Sequence, residues 1–244
     1  MNKYILEVCV DSIESATAAI NGGADRLELC ANLVIGGTTP SICLFQRIKE
    51  ISETPIHVLI RPRYGDFCYT QNEINIMTDE IKMYKGVGVD GVVIGALNPD
   101  GDLDMANMLK LCNTAKPMSI TLHRAFDVCS NPYEVLMQAN DLGVNTILTS
   151  GQKDKCIDGI DLINKLTDNQ VDIMIGGGVN VDVIRKFISE TKVTSFHLSG
   201  KMKIDSKMFY RNLDVCMGIA SMDEYELWYT CSEKVKEAKK VFER

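Results

Sequence analysis

Apolar and polar positions along the chain follow two alternating rhythms. Short runs rich in aliphatic and β-branched residues begin near Tyr4 (YILEVCV), Arg26 (RLELC), Ile56 (IHVLIR), Gly91 (GVVIG), Ser119 (SITLH), Thr146 (TILTS), Asp172 (DIMIG) and Ser195 (SFHLS). Each has the length and residue types of a strand. Between them the period lengthens. Ile13, Ala16, Ala19 and Ile20 form one apolar stripe, and Ile74, Met77, Ile81 and Tyr84 form another at helical spacing. Asn131-Pro132-Tyr133-Glu134 sets a capping Asn before a proline at the first helical position. Three joints are near copies: Gly23-Ala24-Asp25, Gly88-Val89-Asp90 and Gly143-Val144-Asn145. Each offers a glycine for the left-handed position after a helix, then an apolar residue, then Asp or Asn leading into a strand. Repeated strand–helix–stop–strand units make neighbouring strands parallel. Eight of them, with a final helix near 226–242, predict an α/β chain folded as one (β/α)8 TIM-barrel domain over residues 1–244. An open doubly wound sheet fits less well, because no GxGxxG follows the first strand.

Composition narrows the function classes. The chain has 244 residues, 45% of them hydrophobic, and 33 acidic against 26 basic side chains leave a formal charge of −7. That balance argues against nucleic acid as a partner, since phosphate-backbone binding needs a basic face. No apolar run reaches the length of a membrane span, and MNKYILEVCVDS reads as a first strand rather than a signal peptide. Nine cysteines without CxxC or CxC pairs point away from a disulfide framework and towards a reducing, cytoplasmic setting.

At period two, several strands carry polar groups on the face that should line the barrel axis. Glu7 and Cys9 share a face in the first strand, Glu28 and Cys30 in the second, Thr121 and His123 in the fifth, and Ser195, His197 and Ser199 in the eighth. The third ends in Arg61-Pro62-Arg63. One reading is an internal ion-pair network in which Arg61, His123 or His197 holds the two glutamates. The other is a functional site, because converging titratable groups at one mouth are what active sites contain. Glu7, Glu28, His123 and His197 are the candidate acid–base residues, whereas His57, at the start of its strand, reads as structural.

Gly176-Gly177-Gly178 follows the seventh strand and Leu198-Ser199-Gly200 ends the eighth. Many barrels bind phosphate at these loops. Gly177, Gly178 and Ser199, joined by the hydroxyls of Thr149 and Ser150, are therefore candidate anion contacts. Arg61 and Arg63 would add guanidinium forks, although a rim salt bridge suits Arg63 slightly better.

At these residues the sequence resembles the CutC copper homeostasis family over most of its length. The resemblance rests on Glu7-Val8-Cys9-Val10, Gly23–Cys30, Gly36-Gly37-Thr38-Thr39-Pro40-Ser41, Ile60-Arg61-Pro62-Arg63-Tyr64-Gly65-Asp66-Phe67, His123-Arg124-Ala125-Phe126-Asp127 and Leu148-Thr149-Ser150-Gly151. It implies a (β/α)8 barrel, cytoplasmic and assembled as a homo-oligomer (dimer or tetramer), linked to copper tolerance and Cu(I) binding, with no enzymatic reaction attached. The chain departs from the family pattern at Gln152-Lys153, where a second glycine is usual, and at Lys201-Met202-Lys203.

Soft thiolates suit Cu(I), and Cys9 and Cys30, on neighbouring strands one step beyond the inward glutamates, are the candidate ligands. Cys112, Cys216 and Cys231 read as packing or surface thiols, and the Met residues as core filler. The alternative is an enzyme performing acid–base chemistry on a small phosphorylated or carboxylated metabolite. An interaction scaffold ranks last. Its candidate contacts, Met208, Phe209, Tyr210, Tyr225, Trp228 and Tyr229, read better as residues closing the barrel bottom.

Overall fold

The protein, described here as a computed structural model over residues 4–219 and 222–243, closes eight parallel strands into a barrel. The strands are β1 (Ile5–Val10), β2 (Arg26–Leu29), β3 (Ile56–Leu59), β4 (Gly91–Ile94), β5 (Ser119–Leu122), β6 (Thr146–Thr149), β7 (Asp172–Ile175) and β8 (Ser195–Leu198). Helices α1 (Ile13–Asn21), α2 (Ile42–Lys49), α3 (Gln71–Gly86), α4 (Met105–Ala115), α5 (Pro132–Leu142), α6 (Ile160–Leu166) and α7 (Val181–Glu190) alternate with them. The barrel closes where Ile5–Val8 of β1 pair with Ser195–Leu198 of β8. Each strand begins within a residue of where the hydrophobic pattern places it.

The outward residues of the strands, such as Leu6, Val8, Leu27, Leu29, Val58 and Phe196, are fully buried against the helices. Helix starts follow their side chains. Asn131 accepts from the backbone of Tyr133 and Glu134, and Thr70 with Glu73 forms a reciprocal capping box. The three repeated joints carry glycines in the left-handed region, with φ of 88°, 78° and 77° at Gly23, Gly88 and Gly143. The polar residue that ends each joint has a definite task. Asp25 accepts from Leu6 N (2.8 Å), Asp90 from Ile56 N (2.9 Å) and Asn145 from Ile120 N (2.8 Å). Each thus ties down the start of the strand before its own.

The end of the chain differs from the sequence expectation. In place of one helix over 226–242, Glu226–Thr230 is a strand, β10, paired antiparallel with β9 (Lys201–Asp205); the helical part is α8 (Ser232–Lys239), continued by a 3-10 turn over Lys240–Glu243. The alternating Leu227-Trp228-Tyr229-Thr230 segment favours extended pairing. The Thr230 amide then joins the hairpin to α1 through the Ser15 hydroxyl, at 3.2 Å. Nor do the tail residues close the barrel bottom. The hairpin leaves from the end of β8, and Met208, Phe209, Tyr210 and Trp228 are exposed. The aromatic that packs back is Phe242, 5.2 Å from the Tyr4 ring and 5.4 Å from Phe196. No helix among the described residues is long and apolar enough to cross a membrane.

Candidate functional site at the barrel mouth

The inward faces of the strands carry the polar set as period two requires. Glu7, Glu28, His57, Arg61, Thr121, His123 and Ser195 are all buried. Glu7, fully enclosed, sits 2.5 Å from Arg26 Nε and 2.8 Å from His197 Nδ1. Burial alone would raise its carboxyl, but Arg26 and His197 outweigh it and hold the group at about 2. The partner of Glu7 is therefore Arg26, which shares a strand face with Glu28, and neither Arg61 nor His123 holds it. His197 reaches across to Glu28, with Nε2 3.7 Å from Oε2. Burial pulls the His197 imidazole down. The Cys9 sulfur, the Glu7 hydrogen bond and Glu28 together reverse this and lift it well above its ordinary value. Burial raises Glu28, against the pull of His197.

Donor atoms of Cys9, Glu28 and His197 all lie within 4.8 Å of one another. Cys30 lies beside this group rather than in it. Its thiol points at Glu28 Oε2 at 3.5 Å, and burial, followed by the nearby Glu28 charge, pushes it well up. Cys9, Glu28 and His197 open into a cavity of about 140 Å³ that also meets Leu33, Leu59, Arg61, Phe67, His123 and Leu148.

His123 caps the short helical turn Arg124–Val128, its Nδ1 accepting from Ala125 N at 3.1 Å. Its ring lies 4.7 Å from that of Phe67. Burial and the nearby Arg61 charge hold it down at about 3. His57, deeper in the barrel, is held by burial at about 4 and serves packing, as its sequence position implies.

The anion contacts expected from sequence do not converge on one site, although Gly177 lies against Ser150. Arg61 enters the cavity, but its Nη1 donates to the carbonyls of Gly36 and Gly37, each at 3.1 Å, and its Nη2 to that of Gly65 at 2.7 Å. It thereby ties two loops together. Arg63 is the rim ion pair, 2.7 Å from Glu73 and 2.9 Å from Asp66. Thr149 and Ser150 do bind an anion, but it is the chain's own Asp127 carboxylate. The Thr149 hydroxyl donates to it at 2.5 Å, Ser150 N at 3.0 Å and the Ser150 hydroxyl at 2.9 Å. Arg124 closes the group 2.6 Å from Asp127. Gly177 and Gly178 take left-handed turns, and Gly177 accepts from Cys156 N at 2.9 Å. Ser199 lines a separate cavity of about 380 Å³ with Asn180, Lys201 and Lys234.

Sequence reasoning passed over Arg26 and Asp127. Arg26 was legible, since it alternates with Glu28 and Cys30 on one face. Asp127 was visible only as part of a motif, because its hydroxyl donors lie some twenty residues away.

A closed parallel barrel with thiol, imidazole and carboxyl groups gathered at the C-terminal ends of its strands defines a TIM-barrel protein with its site at the usual mouth. Residues 4–202 match the CutC family, and the chain belongs to it. It is 45% identical over 239 residues to a CutC family protein of Parabacteroides distasonis, covering 96% of this chain and 98% of the relative. It is 40% identical over 239 residues to the human "copper homeostasis protein cutC homolog", covering 96% and 88%. A solved CutC structure from Streptococcus agalactiae superposes with a TM-score of 0.76 at 30% identity, covering 80% of this chain and 98% of the other.

Proposed function

We propose that the chain takes up Cu(I) as cargo in copper homeostasis, in the cytoplasm and as a homo-oligomer, with Cys9 and His197 as its principal ligands. One observation carries the reading: the close grouping of Cys9, Glu28 and His197. The donor set suits a soft ion, with a thiol sulfur and an imidazole nitrogen as the preferred donors. Glu28 offers a harder oxygen on a carboxyl that burial pushes up, so it contributes least. Glu7 supports the assignment from behind. By accepting the Nδ1 proton of His197 it turns Nε2 towards Cys9 and Glu28, as an outer carboxylate orients a ligating histidine, and metal binding would release the Nε2 proton to solvent. Cys30 stands next to the group as a second thiol. The naming of the human relative for copper homeostasis agrees with this reading.

Anaerobic Cu(I) titration against a competing chelator tests it on the wild type, Cys9→Ser and Cys30→Ser. The expected result is competitive binding by the wild type, lost in Cys9→Ser and retained, somewhat weakened, in Cys30→Ser. Equal loss in both variants would replace the Cys–His site with a two-cysteine site. Failure of the wild type to compete would remove the copper reading.

A further inference from the structure

The cavity at the mouth has a second polar group that the copper reading does not use. His123 Nε2 is buried with no hydrogen-bond partner, and so is Arg61 Nε. Both side chains line the cavity, with exposures of only 5% and 7%. The Ala125 amide donates to Nδ1 of His123, so that nitrogen carries no proton and the ring's remaining proton sits on Nε2. Nε2–H is thus a donor held in place by the turn it caps, with nothing to donate to. Arg61 is a buried cation with no carboxylate partner among the described residues. Loop carbonyls hold both terminal nitrogens, and the Phe67 ring lies 4.8 Å from the guanidinium carbon. Its Nε–H is buried and makes no hydrogen bond. Buried donors and an unpaired buried charge are costly unless a ligand completes them. Leu33, Leu59 and Leu148 supply apolar wall beside them, and Arg124, held by Asp127 and Ser150, also lines the cavity.

We propose that this cavity binds a small monocarboxylate with a short carbon tail, its carboxylate taken by Arg61 Nε–H and His123 Nε2–H and its tail lying on the leucines. The size fits. The 140 Å³ space resembles cavities that accept a ligand of about six heavy atoms. The donor count fits as well: Arg124 is already engaged by Asp127, Ser150 and the Lys153 carbonyl, so the two unpartnered N–H groups and the Arg61 charge match a single carboxylate better than a phosphate. The two donors are distinct from the Cys9–Glu28–His197 group, but all five residues share the one cavity, so the test is made without metal.

Calorimetric titration of the full, metal-free chain, with chelator present, tests this using lactate and propionate as probes and propanamide and inorganic phosphate as comparators. His123→Asn keeps an acceptor for Ala125 while removing the ring donor. Leu33→Trp fills the cavity from its partly exposed rim and leaves the barrel interior untouched. We expect lactate or propionate to bind at least about tenfold more tightly than propanamide, and each variant to weaken that binding by about tenfold or more, with the Leu33→Trp melting temperature unchanged. No carboxylate binding to the wild type at about 10 mM would overturn the proposal. So would binding unaltered in both variants, or a preference for phosphate. Because metal is absent throughout, these outcomes leave the copper reading untouched.

Discussion

Gly95 and the His123 imidazole share one space at the barrel mouth: a Cβ on Gly95 would lie 2.6 Å from Cε1 and 2.7 Å from Nδ1 of the ring. The same relation recurs one layer down, where Gly91 makes room for His57 with a closest approach of 2.5 Å. Two histidines fit the axis because a neighbouring strand gives up two side chains. Gly95→Ala should swing His123 away from the Ala125 amide, cost about 1–3 kcal/mol in urea unfolding through overpacking, and abolish lactate binding. Unchanged binding would show that the ring position is not fixed by Gly95.

Glu7 is the anchor of the axial network. Glu7→Gln leaves Arg26 and His197 facing a neutral amide in a fully enclosed site, and stability should fall by about 3 kcal/mol. Adding Arg26→Met should cost much less in that background than in the wild type, because the two residues are one pair. Strictly additive losses in a urea double-mutant cycle would dissolve the pair.

Acid should expose the buried histidine. His123 is held at about 3 in the fold against an ordinary 6.5. Below about pH 6.5 the unfolded chain takes a proton that the folded one refuses, so stability falls as pH falls. For one group the slope is about 1.4 kcal/mol per pH unit, continuing down towards the folded value. His123→Asn lacks this group, so the wild type should lose stability more steeply than the variant between pH 6 and pH 4. Parallel urea midpoints over that range would contradict the assignment.

Asp127 fills an anion cradle made by Thr149, Ser150 and Arg124. Asp127→Ala should destabilise the fold and leave those donors free to take a replacement. Sulfate or acetate should then raise the variant's melting temperature more than the wild type's, by mass action. Equal responses would mean that the cradle collapses without its carboxylate.

Gln152 adopts φ 57°, a left-handed backbone that costs a side chain about 1–2 kcal/mol. Its amide donates to Cys129 O at 2.8 Å, and this bond offsets the strain. Gln152→Ala keeps the strain and loses the bond, so it should be less stable than either Gln152→Gly or the wild type. Thermal melts of the three proteins decide the order.

The barrel and most of its mouth were legible in sequence because period two sorts Glu7, Cys9, Glu28, His123 and His197 onto one face, and the βαβ rhythm makes that face the axis. What could not be read was pairing. Which cation meets Glu7 depends on strand stagger, and stagger selects Arg26. The sequence offers the hydroxyls of Thr149 and Ser150 as contacts for a bound anion, but that they meet the chain's own Asp127 depends on the fold of a distant turn. The last segment misled because its ends are helix-like while Leu227–Thr230 alternates like a strand.

The clips formed by Asp25, Asp90 and Asn145 have a consequence for amide hydrogen exchange. Strand ends ordinarily fray, and their first amides exchange with solvent through small local openings. Here the amides of Leu6, Ile56 and Ile120 are each held by a side chain anchored at the next strand's entrance. Their exchange should therefore be coupled to separation of the paired strands, so that these three strand starts open no faster than the strand centres.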